Sequence, residues 1–470
     1  MTPHCRRSKS EGVSERTLPL FAARQCLHIR GCPCIIRADL LWKGRKMDLL
    51  GEALKHYDYS VSVRRHLHEN PEPSTLETET VSYICGELAA MGIEYVNIPD
   101  GGVLGFLHGK TPGPSVMLRA DCDALKIQES GENAKGAKVC VSKKAGLAHC
   151  CGHDMHTAML LTAAKILKGR ENSLKGTVIL MFERGEEGGG NAYYIHKYLQ
   201  EKKMQIDVCF SQHNDPLLPA GKIAVSAGPR FAGSFVFHVK IRGKGGHGSR
   251  PDRNNNPIDC FLAIASEYKD LRMRLVSPEV LFTASLNMVR AGSAHNITPE
   301  ELEFSGTART YDLASGLKFR EQFEKIIRGN CEIFGCTPEM ILWKGPTLPV
   351  INQKEAAAYA AAVTVELIGK ENTAENIPDM CGESFGITTA FYPSVMAAVG
   401  AGNEAEGKTL PLHNPGYDPD EKALIYGSAY YAACAANYGT RAPQIRFTPF
   451  AGDIDALFAL TNRPVPLHKD

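Results

Sequence analysis

The chain has 470 residues, enough for two to four domains of about 100–200 residues each, and its 43% hydrophobic content can fill a large core. Its 53 lysines and arginines nearly balance its 52 aspartates and glutamates, and this net charge of +1 argues against a dedicated nucleic-acid or anionic-membrane binder. No apolar run reaches the roughly 20 residues of a membrane-spanning helix, so these numbers favour a soluble, multidomain enzyme without nucleic-acid or membrane partners.

The first 46 residues differ from the rest because they hold seven arginines against three acidic residues, without helical or strand periodicity. An arginine-rich, acid-poor leader is typical of a transit peptide. We favour the alternative that translation starts at Met47, because the four cysteines of this segment are unusual in a transit peptide. The 15 cysteines of the chain are odd in number and irregularly spaced, which indicates free thiols in a reducing compartment. We therefore expect a cytoplasmic protein, or a mitochondrial one if the leader is real.

From Met47 onward, helix and strand patterns alternate. Helical periodicity extends over 50–70, 79–92 and 156–169, and short apolar runs of strand length lie at 115–121 and 176–183. This alternation predicts a layered α/β catalytic domain with a mostly parallel sheet flanked by helices.

The pattern changes after residue 228. Three strands and two helices follow in the order βαββα, which predicts a smaller two-layer α+β domain of about 115 residues inserted into the first. The α/β pattern resumes near residue 349. The predicted organisation is a leader (1–46), a catalytic domain in two parts (47–228 and 348–438), a lid or dimerisation domain (229–347) and an irregular tail (439–470).

Residues that bind transition metals concentrate at the predicted strand ends, where α/β proteins build their sites. The segment His149–His156 reads HCCGHDMH, and the segment RGEEGGG after the second strand contains two glutamates. Further histidines stand in SQHND and LHNPGYD. Thiolate, imidazole and carboxylate are ligands of a borderline transition metal. Each motif alone is weak, since a single histidine is more often a core or surface residue.

The ordered combination resembles a known family, the di-metal amidohydrolases of the aminoacylase–carboxypeptidase group of metallopeptidases. The resemblance is strongest to the subgroup of hippurate hydrolase, N-acetyldiaminopimelate deacetylase and auxin-conjugate (indoleacetyl-amino acid) hydrolases. It runs from about Val63 to Ala436 and includes RRHLHENPEPS, LRADCDAL, HCCGHDMHTAMLL, GEEGGGNA, GKGGHGSRPD, HNITPE and LHNPGYD.

The resemblance implies two divalent ions, of Zn, Mn, Co or Ni, held by five residues: Cys151, His153, Glu187, His213 and His413. Cys151 would bridge both ions as a thiolate, with Glu187 and His413 on one ion and the remaining two histidines on the other. Glu186 would be the general base, taking a proton from the attacking water and delivering it to the leaving amine.

The resemblance also assigns residues outside the metal ligands. His247 in GKGGHGS would stabilise the oxyanion, and Asn296 and Arg309 are candidates to bind the substrate carboxylate. Asp121, with Asp123 beside it, would orient metal ligands, and we expect the same of Asp154. The alternatives are an Asp that caps a turn and an Arg that lies on a strand surface. In relatives the lid dimerises, so a homodimer is expected.

Several positions depart from the family pattern. ERG at Glu183–Gly185 replaces the usual Gln-Pro-Ala, and GESF at Gly382–Phe385 replaces Gly-Glu-Asp-Phe. Arg119 stands where more distant relatives have a ligand histidine. A charged Glu183–Arg184 step beside the base could shift its pKa, which we state as a hypothesis.

The expected activity is metal-dependent hydrolysis of an N-acyl amino acid, a small-molecule substrate, to a carboxylic acid and a free amino acid. The first alternative is a dipeptidase or carboxypeptidase with the same mechanism. The second is a catalytically silent, dimerising homologue. Retention of all five ligand residues together with Glu186 argues against the silent homologue.

Overall fold

The computed structural model of the chain describes residues 47–188 and 190–464. Its helices are α1 (Leu49–Lys55), α2 (Tyr57–Glu69), α3 (Thr78–Ala90), α4 (His153–Lys168), α5 (Ala192–Glu201), α6 (Pro257–Leu275), α7 (Leu313–Ile333), α8 (Lys354–Ile368), α9 (Gly386–Phe391), α10 (Ala423–Arg441) and α11 (Ile454–Leu460). Its strands are β1 (Glu94–Ile98), β2 (Gly102–His108), β3 (Thr111–Asp121), β4 (Lys175–Glu183), β5 (Val208–Pro219), β6 (Ile223–Ala224), β7 (Gly228–Phe231), β8 (Gly233–Arg242), β9 (Gly246–His247), β10 (Phe282–Ala291), β11 (Ile297–Thr298), β12 (Glu301–Thr310), β13 (Thr337–Lys344), β14 (Val350–Asn352), β15 (Thr373–Ala374) and β16 (Ser394–Gly402).

An eight-stranded sheet forms the centre of the larger domain, in the order β1-β2-β4-β3-β5-β16-β6-β15. Its central strands β4, β3, β5 and β16 are parallel, while β1, β2 and β6 pair antiparallel. Met117, Ile179 and Cys209 pack with apolar residues of α5, α9 and α11, and α4 and α10 pack against β3 as well. Apolar strands covered in this way confirm the predicted α/β fold with a mostly parallel sheet.

The lid is a four-stranded antiparallel sheet, β10-β12-β8-β13, that packs against α6 and α7. Burial alternates along β8, because one face meets the helices and the other faces outward. Phe237, Phe304, Phe319 and Phe323 fill its core. The two-layer α+β architecture is as expected. The sequence pattern missed β13, whose half-exposed residues lack a long apolar run.

The tail differs from the expectation of an irregular segment that does not fold with the domain. Within 439–464, α10 continues to Arg441 and α11 follows. Ile454, Leu457 and Phe458 are at most 1% exposed and belong to the central core. These three residues have the i, i+3, i+4 spacing of a helix face, but a seven-residue helix gives too short a pattern to recognise.

Leu457→Ala tests whether the tail contributes to stability. We expect the free energy of unfolding to fall by about 2–5 kcal/mol, because the substitution leaves a cavity in a closed core. Urea unfolding monitored by fluorescence would measure the change. Leu460→Ala, at a 38% exposed position on the same helix, is the matched control. If both variants lost the same small amount of free energy of unfolding, the tail would not pack as described.

No helix in the described residues is both long and apolar enough to cross a membrane. Every cysteine within the described ranges is a free thiol, as expected for a reducing compartment. The predicted leader, residues 1–46, lies outside the described residues, and the cytoplasmic location stays a prediction.

Candidate metal centre

The predicted ligands meet at the carboxyl ends of the parallel strands. Cys151 directly precedes Gly152 and α4, the two glutamates follow β4, and His213 lies within β5. Gly152 has φ +84°, and a Cβ there would stand 2.1 Å from Asn214 Nδ2, so only glycine fits. His413, at φ +64°, donates its backbone N–H to Cys150 O at 2.8 Å, which holds it beside Cys151.

Two sets of possible metal ligands lie here, and within each set the donor atoms are no more than 4.8 Å from one another. The first set is Cys151, His153 and His213, and the second is Cys151, Glu187 and His413. Cys151 belongs to both sets, with its Sγ 3.6 Å from His213 Nε2. On the other side, His413 Nε2 lies 3.4 Å from Glu187 Oε1. The buried His153 Nε2 and Glu187 Oε1 have no hydrogen-bond partner among the described residues. All five predicted ligands therefore converge.

Polar atoms of the predicted ligands that do not face the cluster form hydrogen bonds with neighbouring residues. Asp123 accepts a hydrogen bond from His153 Nδ1 and another from the Glu187 backbone N–H, both at 2.9 Å. His213 Nδ1 lies 2.8 Å from Asn214 O. Because a carbonyl oxygen can only accept, His213 Nδ1 must be the donor. These bonds aim the free nitrogens into the cluster, as in metal sites. With thiol, imidazole and carboxylate donors, the cluster fits a divalent metal ion.

Asp121 lies behind the cluster. It is 2.6 Å from His156 Nδ1, while His156 Nε2 accepts the Asn214 backbone N–H at 2.9 Å. Because both ring nitrogens of His156 are used, this histidine is not available as a ligand. Asn214 also donates its side-chain N–H to Cys151 O at 2.7 Å. The sequence analysis gave Asn214 no role, although its place directly after a predicted ligand was a usable signal.

Glu186 extends beside the cluster. Its Oε1 accepts the Ser384 backbone N–H at 2.8 Å. Burial raises the pKa of the Glu186 carboxyl well above its usual value, and the nearby carboxylates of Glu383 and Glu187 raise it further. A raised pKa makes a carboxylate a stronger proton acceptor, which suits a general base.

The two departures from the family pattern contact each other. Glu183 Oε1 accepts a hydrogen bond from Ser384 Oγ at 2.5 Å, and Arg119 donates to both Glu183 Oε2 (2.8 Å) and Ser384 Oγ (2.9 Å). Arg184 turns away and donates to Glu77 at 2.8 Å. The hypothesis that the Glu183–Arg184 step shifts the pKa of Glu186 therefore gains no support, since burial and the carboxylates of Glu383 and Glu187 are what raise that pKa most.

Asp154 does not contact the cluster in the way we expected. Its Oδ2 accepts from Arg64 Nε at 2.8 Å and lies 2.9 Å from His68 Nδ1, and no hydrogen bond within the described ranges joins it to a predicted ligand. His68 Nε2 lies 2.9 Å from Glu129, which also accepts from Lys138. Asp154, in the first turn of α4, is thus part of a buried network of alternating charges.

Glu129→Gln tests this network through pH. Burial raises the pKa of the Glu129 carboxyl, but hydrogen bonds from His68, Lys138 and the Ser142 backbone lower it to about 2. The carboxylate therefore stabilises the fold fully above pH 4.5, and this contribution disappears as the pH falls towards 2. Near pH 7 we expect the variant to lose about 3–5 kcal/mol, because two buried cations lose their partner.

Urea unfolding of the wild type and of Glu129→Gln between pH 2.5 and 7 measures the difference in their free energies of unfolding. This difference should become smaller below pH 4.5. Glu69→Gln, at an exposed pair with Lys143, is the control, and its loss of stability should be small at every pH. A difference that stays constant down to pH 2.5 would contradict a lowered pKa.

The three predicted site residues of the lid, His247, Asn296 and Arg309, lie in two separate places. His247 and Asn296 are exposed and adjacent, since Gly248 N donates to Asn296 O at 2.8 Å. No hydrogen bond or ion pair among the described residues connects either to the metal-ligand cluster. Arg309 points towards the 382–384 turn, with Nη1 3.3 Å from where a Cβ of Gly382 would stand. The structure therefore brings Arg309, but not His247 or Asn296, to the turn whose Ser384 N–H binds Glu186.

The sequence matches one known family. The profile of peptidase family M20/M25/M40 matches residues 117–437. The chain is 33% identical over 387 residues to IAA-amino acid hydrolase ILR1-like 4 of Arabidopsis thaliana, covering 81% of this chain and 86% of that protein. It is 30% identical over 387 residues to thermostable carboxypeptidase 2 of Saccharolobus solfataricus, covering 82% and 96%.

The fold is similar to that of a dinuclear metal binding peptidase from the M20 family of Bacillus subtilis. The TM-score is 0.68 at 29% identity, and the alignment covers 82% of this chain and 99% of the other. Family, fold and a cluster that fits a divalent metal agree. This chain therefore belongs to peptidase family M20/M25/M40 and is a metal-dependent amide hydrolase.

Proposed function

We propose that the chain hydrolyses the amide bond of N-acyl amino acids to a carboxylic acid and a free amino acid. The observation that carries this proposal is the position of Glu186, next to two donor sets that share Cys151. The similarity to an amino-acid conjugate hydrolase over most of the chain supports the same substrate class.

We propose that two divalent ions would be held here, with Cys151 belonging to both donor sets, Glu187 and His413 serving one ion and His153 and His213 serving the other. Burial raises the pKa of the Cys151 thiol, and a coordinating cation deprotonates such a thiol. When bound, the ions supply Lewis acidity towards the amide carbonyl and lower the pKa of a bound water.

The chain's own residues then have distinct tasks. Glu186 accepts the proton of the attacking water and returns it to the leaving amine, while Ser384 N–H fixes the orientation of its carboxylate. Asp123 keeps His153 and Glu187 in place. Arg309 binds the carboxylate of the leaving amino acid through its planar guanidinium.

We propose that His247 and Asn296 act in a homodimer, completing the site of a second copy through the lid. Both are exposed and adjacent on the lid. The neighbouring strand β10 is an edge strand of the lid sheet, with Val289 49% exposed. An uncovered edge strand with apolar residues is suited to pairing with another copy.

The test combines metal analysis with a substrate panel. Purified protein should contain close to two divalent ions per chain, and chelation should abolish activity. The panel compares N-acetyl, N-benzoyl and N-indoleacetyl amino acids with dipeptides, the class suggested by the similarity to a carboxypeptidase. Faster cleavage of the acyl amino acids supports the proposal. Faster cleavage of dipeptides would make the chain a peptidase, and cleavage unaffected by chelation would refute a metal mechanism.

A further inference from the structure

The tail crosses from the catalytic domain to the lid, beyond the 117–437 region shared with the family. On the catalytic domain, Ile454 N donates to Gln200 Oε1 at 3.0 Å, and the ring of Phe458 lies 5.0 Å from that of Tyr193. On the lid, Arg320 donates to Leu460 O at 3.3 Å. These contacts fix the position of the residues that follow α11.

Arg463 is placed by this arrangement against the turn that carries Glu186. A Cβ at Gly190 would stand 2.7 Å from Arg463 Nη2, so the glycine leaves the space that the guanidinium occupies. Gly190 N donates to Gly185 O at 3.1 Å, which closes the turn around Glu186. The guanidinium of Arg463 also lies 5.0 Å from the ring centre of Phe458. Arg463 therefore reaches the edge of the proposed active site.

No hydrogen bond or ion pair holds the Arg463 guanidinium within the part of the chain that the structure describes. Burial lowers its pKa, and the carboxylates of Glu183 and Glu186 only partly oppose this effect. A partly buried guanidinium has five donors and loses water without a protein acceptor in return, so an anionic ligand is the partner that would compensate it.

A second cationic position lies at the 382–384 turn, which also contacts Glu186. Arg309 faces the 382–384 turn, whose Ser384 N–H binds Glu186. Arg230, 5% exposed, lies over the ring of Phe231, and its Nε has no hydrogen-bond partner within residues 47–188 and 190–464. Neither arginine forms an ion pair with a carboxylate in those ranges. Arg230 Nη1 donates only to Ile377 O at 3.4 Å. Guanidinium groups without a carboxylate partner thus lie at the 382–384 turn as well as at Gly190.

We propose that Arg463 is a specificity-determining residue that binds a carboxylate of the substrate, and that the enzyme prefers N-acyl amino acids with two carboxylates. One carboxylate is that of the leaving amino acid, bound on the Arg309 side. The second, bound by Arg463, belongs either to the acyl group or to the amino-acid side chain. This inference rests on the proposed function, because it assumes that the amide lies over Glu186 between the two positions.

The activity test uses two matched substrate pairs with the metal-loaded enzyme: N-acetylglutamate against N-acetylglutamine, and N-succinylalanine against N-succinamoylalanine. In at least one pair we expect kcat/KM to favour the charged member about 10- to 100-fold. Arg463→Gln should reduce this ratio to near one, and Arg463→Lys should keep part of it. Arg446→Gln, at an exposed arginine of the same tail, is the control that keeps the full ratio.

A ratio is used because a merely structural role of Arg463 would lower stability or overall activity without changing the preference for charge. The pair that responds identifies the source of the second carboxylate. No preference in either pair, or a preference that survives Arg463→Gln, would overturn the proposal.

Calorimetry separates this inference from the proposed function. The same ligands are titrated into metal-loaded Glu186→Gln and into Glu186→Gln/Arg463→Gln, neither of which needs to turn over. Tighter binding of the charged ligand that depends on Arg463 supports the inference even if no amide is cleaved. Cleavage of acyl amino acids with equal binding of charged and neutral ligands supports the proposed function and refutes the role of Arg463.

Discussion

Glu186→Gln should reduce kcat by at least about 10³-fold, towards the upper end of what a general base contributes. The substitution keeps the size of the side chain and its acceptor for Ser384 N–H, but the amide cannot accept a proton at neutral pH. Glu186 is also the only member of the Glu186–Glu187 pair that we do not assign to a metal. The effect should therefore fall on turnover and leave the metal content unchanged.

Steady-state kinetics on the best acyl amino acid, with elemental analysis of the same preparations, measures both quantities. Glu187→Gln is the informative counterpart, since loss of a proposed ligand should lower metal content together with activity. Glu201→Gln, at an exposed helix end, controls for loss of a surface charge. An active Glu186→Gln enzyme would show that another group takes the proton.

Periodicity was enough to predict the fold class, while the set of five ligands followed from the resemblance to a known family. Strand and helix periodicity predicted β3, β4 and α4, and the motifs with metal-binding residue types lie near the strand ends where α/β proteins build their sites. The sequence did not predict which atoms stand behind the ligands. Asn214 and Ser384 act through backbone and side-chain bonds to partners 58 or more positions away, and no local periodicity records such contacts.

The departures from the family pattern are also explained only in three dimensions. In sequence, an added acid at Glu183 and a lost acid at Ser384 are separate changes 201 positions apart. In the structure their side chains are hydrogen-bonded to each other and to Arg119. Moving a carboxylate from one partner to the other keeps the same number of negative charges around the guanidinium. The two changes therefore compensate each other.

Arg119→Met should have the largest effect on stability. The buried guanidinium donates to Asp121 and Glu183 at 2.8 Å and lies 3.1 Å from Glu383 Oε1. Methionine would fill much of the volume but leave three buried carboxylates without their cation, and breaking one buried ion pair alone costs about 3–5 kcal/mol. We expect a loss of at least about this size in the free energy of unfolding, measured by urea titration.

The same substitution should weaken the metal site, because Asp121 orients His156 and, through it, Asn214 beside Cys151. Outer contacts of this kind change metal affinity by about 10- to 100-fold, which competition with a chromogenic chelator would measure. Arg65→Met is the matched control, since Arg65 forms a half-exposed pair with Glu421 that contributes about 1 kcal/mol or less. Equal losses of stability in both variants, with unchanged metal affinity, would mean that Arg119 does not hold the carboxylates behind the cluster.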